Sequence, residues 1–113
     1  MTKTDNIIKL LLIEDSVEEA EQIISVLRNG GIAVRPARAS NEAELEAALE
    51  QQTPDVIIAN LGCADLGLAQ VAAAASRGGK DVALIATGRG LTEDKIVAAF
   101  HDGARGLALR DRA

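Results

Sequence analysis

Short apolar runs alternate with longer amphipathic segments along the chain. The first run, IIKLLLI (7–13), is almost continuously apolar, as expected of a central parallel strand that is covered on both faces. In the next segment Ser16 and Glu19 fit the S-x-x-E pattern of a capping box at a helix start. The apolar residues that follow recur at helical spacing, at Val17, Ala20, Ile24 and Leu27. The first two elements are therefore predicted to be a buried strand and an amphipathic helix.

The same alternation continues through the remaining sequence. Strands are predicted at 7–13, 32–37, 56–60, 81–87 and 106–110. Helices are predicted within 14–31 and at 41–52, 66–77 and 93–102. Strict alternation of strand and helix predicts an α/β fold, a flavodoxin-like open five-stranded parallel sheet with helices on both faces. Pro36 cannot donate a hydrogen bond to a neighbouring strand, which places the second strand at an edge and favours the order 2-1-3-4-5.

The chain stops where a fifth helix would begin, so the final helix of such a fold is absent from it. We interpret residues 1–113 as one domain, the N-terminal fragment of a longer multidomain protein. The net charge of −5 argues against a nucleic-acid partner. No apolar run approaches the about 18 residues of a membrane span. Cys63 is the only cysteine, which fits a reducing cytoplasm, so we expect a cytoplasmic protein.

Polar side chains stand where the predicted strands end. Glu14 and Asp15 follow the first strand, Asn60 ends the third, Thr87 ends the fourth and Arg110 ends the fifth. In a sheet of this order, ligands bind at the carboxyl ends of the strands, where the strand order reverses. Two carboxylates, an amide, a hydroxyl and a guanidinium are therefore expected to converge at one edge of the sheet.

Four segments, LLLIEDS, PDVIIAN, ALIATG and GARGLALR, resemble the four sequence blocks of response-regulator receiver (CheY-like) domains, over essentially the whole chain. In that family an acidic pair and an aspartate hold Mg²⁺, and the aspartate accepts a phosphoryl group. A threonine or serine and a lysine contact the phosphoryl oxygens. The resemblance places Glu14 and Asp15 at the acidic pair and Thr87 at the hydroxyl. Asn60 falls at the phosphoacceptor position, and Arg110 falls at the lysine.

Other positions also depart from the family pattern. The family usually has proline, Asp-Gly, an aromatic residue and proline where this chain has Ala64, Gly67-Leu68, Leu107 and Asp111. An acyl phosphate cannot form on the neutral amide of Asn60. Glu14, Asp15 and the backbone carbonyl near Gly62 would hold a hydrated Mg²⁺ loosely at most, so no resident cofactor is expected. Our hypothesis is that Arg110, or an internal hydrogen bond of Asn60, occupies the space that the metal ion and the phosphoryl group fill in the family. In the alternative, Arg110 is a solvated charge at the end of its strand.

The resemblance implies a pseudo-receiver, a non-enzymatic interaction module of bacterial two-component signalling that takes no phosphoryl group. Its partners would be its own downstream effector domains, another protein, or a second copy of itself in a homodimer. The start of the chain is also similar to the N-terminal receivers of FimX-like composite cyclic-di-GMP proteins with GGDEF and EAL domains. Val97 and Phe100 are either exposed apolar anchors for a partner or part of the core.

Two further hypotheses compete with the pseudo-receiver. In the first, the chain is an active phosphotransfer receiver, with the phosphoacceptor displaced to Asp65 or with Asn60 an engineered replacement of a native aspartate. In the second, it is a small enzyme or nucleotide-binding domain of flavodoxin-like topology. The sequence disfavours this second hypothesis because it has no phosphate-binding loop and no aromatic residue near the strand ends to stack on a cofactor.

Overall fold

A computed structural model describes residues 7–63, 65–77, 82–89 and 92–109. The strands in these ranges are β1 (Ile8–Ile13), β2 (Val34–Ala39), β3 (Val56–Asn60), β4 (Ala83–Gly88) and β5 (Gly106–Leu109). The helices are α1 (Val17–Asn29), α2 (Glu42–Gln51), α3 (Leu68–Arg77) and α4 (Glu93–His101). All strand pairs are parallel, and the sheet order is β2-β1-β3-β4-β5. The predicted fold class and strand order are confirmed.

The edge strand β2 begins two residues later than predicted. Pro36 lies opposite Leu10 on β1, in a strand with one neighbour, as a residue without an N–H requires. Ile32 does not open the strand, because its N–H donates to the carbonyl of Leu27 at 2.9 Å and closes the end of α1. The intervening Gly31 has a φ of +87°, which glycine adopts without steric cost. The strand therefore begins at Val34, which pairs with Ile8 of β1.

The sheet has an apolar layer on each face, because successive side chains of a strand point to opposite sides. Leu11 and Ile13 of β1 belong to the larger cluster, which also contains buried residues of α2, α3 and α4. Leu10 and Leu12 belong to the smaller cluster beneath α1. The continuous apolar run of β1 is thus explained by burial on both faces.

Helix starts follow local capping chemistry. The side chains of Ser16, Asn41 and Thr92 each accept a hydrogen bond from a backbone N–H of the first turn that follows. Val17, the first of the apolar residues at helical spacing, is 57% exposed where α1 begins beyond the end of β1. None of the helices in the described ranges has the length and apolar character needed to cross a bilayer.

Candidate functional site

The carboxyl ends of β1, β3 and β4 bring three of the predicted side chains to one edge of the sheet. Asn60 pairs with Thr87 in the β3–β4 register, and Glu14 follows β1 directly beside β3. Glu14 and Thr87 are buried, with 2% and 4% of their surface exposed, whereas Asp15 is exposed. The fifth predicted member, Arg110, lies outside the described residues.

The amide of Asn60 is hydrogen bonded on both sides. Its Nδ2 donates to the two carboxylate oxygens of Glu14, at 3.1 and 3.2 Å. Its Oδ1 accepts from the backbone N–H of Gly62 at 2.8 Å. Because one end of the amide faces an acceptor and the other faces a donor, its orientation is fixed.

The buried carboxylate of Glu14 depends on this arrangement. Its Oε2 also accepts the backbone N–H of Ser16 at 3.1 Å. A buried carboxylate is tolerated when its oxygens receive hydrogen bonds, and bonds to an ionised acceptor are stronger than neutral ones. Residue 60 therefore supports Glu14 as a hydrogen-bond donor, which an ionised aspartate could not do.

A cleft of about 610 Å³ opens beside these residues. Four carboxylate residues line it, Glu14, Asp15, Glu19 and Asp102. Two cationic residues line it as well, Arg89 and Lys95. Apolar residues of α3 and α4 also line it, namely Leu68, Ala98 and Ala99. The formal charge of the lining is acidic on balance, so the cleft attracts cations more than anions.

These residues fit a tightly bound Mg²⁺ poorly. Both oxygens of Glu14 receive the Asn60 amide, so a metal ion would have to displace that donor. Across the described part of the chain, no three His, Cys, Asp or Glu side chains are grouped to hold a metal ion. Mg²⁺ prefers anionic oxygens in octahedral geometry and gives up its water reluctantly. No catalytic step through a metal ion follows from this site.

Solved structures give the comparison that decides the fold. The chain is similar to the signal receiver domain of the DNA-binding response regulator merR from Colwellia psychrerythraea 34H, with a TM-score of 0.75 and 21% identity over 91% of this chain and 85% of that one. The signal receiver domain of NarL from Mycobacterium tuberculosis gives a TM-score of 0.76 and 19% identity over 94% and 86%. The chain has the receiver fold. No protein-family model and no curated protein matches the sequence.

A third structure of the same fold is the response regulator RPA3017 in red light signaling of R. palustris, with a TM-score of 0.75 and 14% identity over 93% of this chain and 82% of that one. Identities this low establish the receiver fold and leave the chemistry of the site to its own residues. On that fold, Asn60 occupies the end of the central strand β3.

Thr87 differs from Glu14 and Asn60 in its hydrogen bonding. Its Oγ1 is buried and has no hydrogen-bond partner among the described residues. Leaving a buried hydroxyl unsatisfied costs about 1–3 kcal/mol, so such groups are rare and call for an explanation. Thr87 lies beside Asn60 in the register, on the side of the receiver fold that carries the acidic pair.

Two arginines at this edge of the sheet were not identified as site residues from the sequence. Arg38 of β2 donates from Nη1 to the backbone carbonyl of Glu14 at 2.9 Å. Arg89 follows β4 and forms an ion pair with Glu19 of α1, Nη2 to Oε2 at 3.3 Å. Neither arginine belongs to a motif, and each partner is far away in sequence. Only the strand order could have indicated that Arg38 reaches the Glu14 carbonyl and that Arg89 reaches Glu19.

Two residues beyond β3, Cys63 and Asp65, do not line the cleft. Asp65, the alternative phosphoacceptor, is exposed and does not line the cleft. Cys63 is buried, and its Sγ donates to the Ser40 carbonyl at 3.6 Å. Burial raises the pKa of the Cys63 thiol, and the nearby negative charge of Asp15 raises it further. Burial and a raised pKa both disfavour the reactive thiolate form of Cys63.

Proposed function

We propose that this chain is a pseudo-receiver, a regulatory protein-interaction domain of bacterial signal transduction that does not accept a phosphoryl group and is not an enzyme. The observation that carries the proposal is the Asn60 amide, which donates to both oxygens of Glu14. An amide is not the nucleophile that phosphoryl transfer requires. The same bonds engage the carboxylate that would otherwise help to hold Mg²⁺, so we propose that the domain works without the metal.

The partners we propose are proteins. Val97 and Phe100 of α4 are 55% and 48% exposed, and an apolar pair at this spacing on a helix suits a protein contact. The partner that we favour for this surface of α4 is an effector domain of the same polypeptide. The polypeptide would be a cytoplasmic composite protein of the FimX-like cyclic-di-GMP type, with residues 1–113 as its N-terminal part. In the alternative, the same surface of α4 contacts a second copy of the chain in a homodimer.

Phosphorylation is tested directly with a small-molecule phosphodonor. The chain is incubated with acetyl phosphate and millimolar Mg²⁺, and its intact mass is measured. We expect no added phosphoryl group. A phosphorylated wild-type chain would overturn the proposal, and Asp65→Asn would then show whether Asp65 had accepted the group.

A second function is favoured by one observation, the unpartnered hydroxyl of Thr87. A phosphoryl oxygen beside position 60 would accept its hydrogen. Under this hypothesis the chain is an active receiver in which Asn60 replaces a native aspartate. Asn60→Asp separates the two functions, because phosphorylation of that variant alone would show that the rest of the site is still competent. If the variant also stays unmodified, the inability to accept a phosphoryl group involves more residues than residue 60.

A further inference from the structure

An ion pair crosses the acidic cleft. Arg89 lies directly after β4, and its Nη2 is 3.3 and 3.5 Å from the two carboxylate oxygens of Glu19. Glu19 belongs to the first turn of α1, and both residues line the cleft. The pair therefore connects two walls that are 70 residues apart in sequence.

The capping of α1 explains why the Glu19 carboxylate faces the cleft. The Glu19 N–H donates to Ser16 Oγ at 3.2 Å, which is one half of a capping box. In the other half, the Ser16 N–H would donate to the Glu19 side chain, but it donates to Glu14 Oε2 at 3.1 Å. The buried carboxylate of Glu14 takes that donor, and the Glu19 carboxylate meets Arg89.

We propose that the Arg89–Glu19 pair is a strap, which holds the end of β4 against α1 and restrains α4, the helix that lines the same cleft. α4 carries the exposed Val97 and Phe100, so the strap sets the position of that apolar pair. Its role in signalling rests on the pseudo-receiver function proposed above. Its effect on α4 does not depend on that function.

The strap is weak enough to be released. The Arg89 side chain is 62% exposed and that of Glu19 is 28% exposed. Exposed ion pairs shift an equilibrium by about 1.4- to 5-fold, and salt screens them. A matched pair exists elsewhere, because Arg77 of α3 bonds Glu46 of α2 at 2.8 Å with the arginine 63% exposed. Arg77 does not line the acidic cleft.

Amide hydrogen exchange at the start of α4 tests the strap. The N–H groups of Lys95 and Ile96 bond to Thr92, so their exchange reports opening of this turn. We expect Arg89→Gln and Glu19→Gln each to raise their exchange by about two- to fivefold. The double variant should raise exchange by less than the two single variants combined, because both remove the Arg89–Glu19 contact. Molar salt should raise exchange in the wild-type chain and not in Arg89→Gln.

The matched control is Arg77→Gln, which should leave exchange of these two amides unchanged. The strap is refuted if Arg89→Gln leaves exchange unchanged, if Arg77→Gln raises it equally, or if the two cleft variants act additively. Circular dichroism confirms that each surface variant is folded. No phosphodonor is present in these measurements, so the strap can fail while Asn60 remains inert, and phosphorylation can occur while the strap holds.

Discussion

The variant Asn60→Asp exchanges an N–H₂ group for an oxygen that faces the carboxylate of Glu14. In the wild-type chain this nitrogen lies 3.1 and 3.2 Å from the two oxygens of that carboxylate and donates to both. The variant loses both hydrogen bonds and sets one carboxylate against another. Glu14 is 2% exposed, so water does little to screen the repulsion.

Protonation limits the cost of this change. With an effective dielectric constant of about 20, two charges at the 3.1 Å separation repel by about 5 kcal/mol. Binding a proton at neutral pH instead costs about 1.4 kcal/mol for each pH unit above the usual aspartate pKa of about 3.9, or about 4 kcal/mol. The protonated group keeps one donor for Glu14. We therefore expect a loss of about 4 kcal/mol at neutral pH, a large share of the about 5–15 kcal/mol that stabilise a domain.

The sign of the pH dependence follows from linkage. The new carboxyl has a raised pKa in the folded variant, so the folded state binds a proton that the unfolded state has already lost. Stability of the variant relative to the wild type therefore falls as pH rises from the unfolded pKa of about 3.9 to the raised folded value. At a pH near 4 most of the loss should disappear.

Urea unfolding measures the effect, at neutral pH and near pH 4, with EDTA or with millimolar Mg²⁺. Mg²⁺ should restore part of the stability at neutral pH, because a cation between two carboxylates replaces the lost amide hydrogens. The matched control is Asn41→Asp, at the N-cap of α2, where aspartate and asparagine are about equally good caps. If Asn60→Asp were as stable as the wild type in EDTA at neutral pH, the buried Glu14 carboxylate would not depend on the Asn60 amide for its stability.

Four further predictions concern other parts of the fold. The Cys63 thiol should react with a disulfide reagent at least about tenfold more slowly in the native chain than in urea, because burial raises its pKa. Hydrogen bonds from the backbone and side chain of Ser40 lower the pKa of Glu44 from 4.5. The stability that these bonds supply is therefore lost as pH falls through the lowered pKa of the folded state. Ser40→Ala should raise that pKa in an NMR titration. Leu45→Ala should cost about 2–5 kcal/mol in urea unfolding, because Leu45 is 1% exposed. Phe100→Ser should cost less than about 1 kcal/mol, because Phe100 is 48% exposed.

The fold was predictable because several independent patterns agree on it. The apolar run of β1 indicated a strand buried on both faces, and Pro36 indicated an edge strand. Strand–helix alternation with short connections then leaves few topologies. The start of β2 was less predictable, because Ile32 is as apolar as a strand residue and bonds the end of α1 instead.

The contacts of the site were less predictable than its members. The ends of the predicted strands identified Glu14, Asn60 and Thr87 as site residues. No pattern in the sequence predicts how the Asn60 amide is oriented or that the Thr87 hydroxyl has no hydrogen-bond partner among the described residues. The pairing of Arg89 with Glu19 depends on the distance between two elements rather than on a local motif. Helical spacing likewise could not assign Phe100, because the same period describes a buried face and an exposed apolar stripe.

The exchange of a carboxylate for an amide changes what the stability of this site depends on. A carboxylate at residue 60 would be compatible with Glu14 only with a bound proton or cation, so folding and ligand binding would be linked. The amide supplies its own hydrogens to Glu14 and accepts from Gly62, so these contacts require neither a bound Mg²⁺ nor a phosphoryl group. A signal that reached this domain would then have to act on weaker surface contacts. Under the proposed strap, the Arg89–Glu19 pair, whose two residues line the acidic cleft, is the contact through which a binding partner would act.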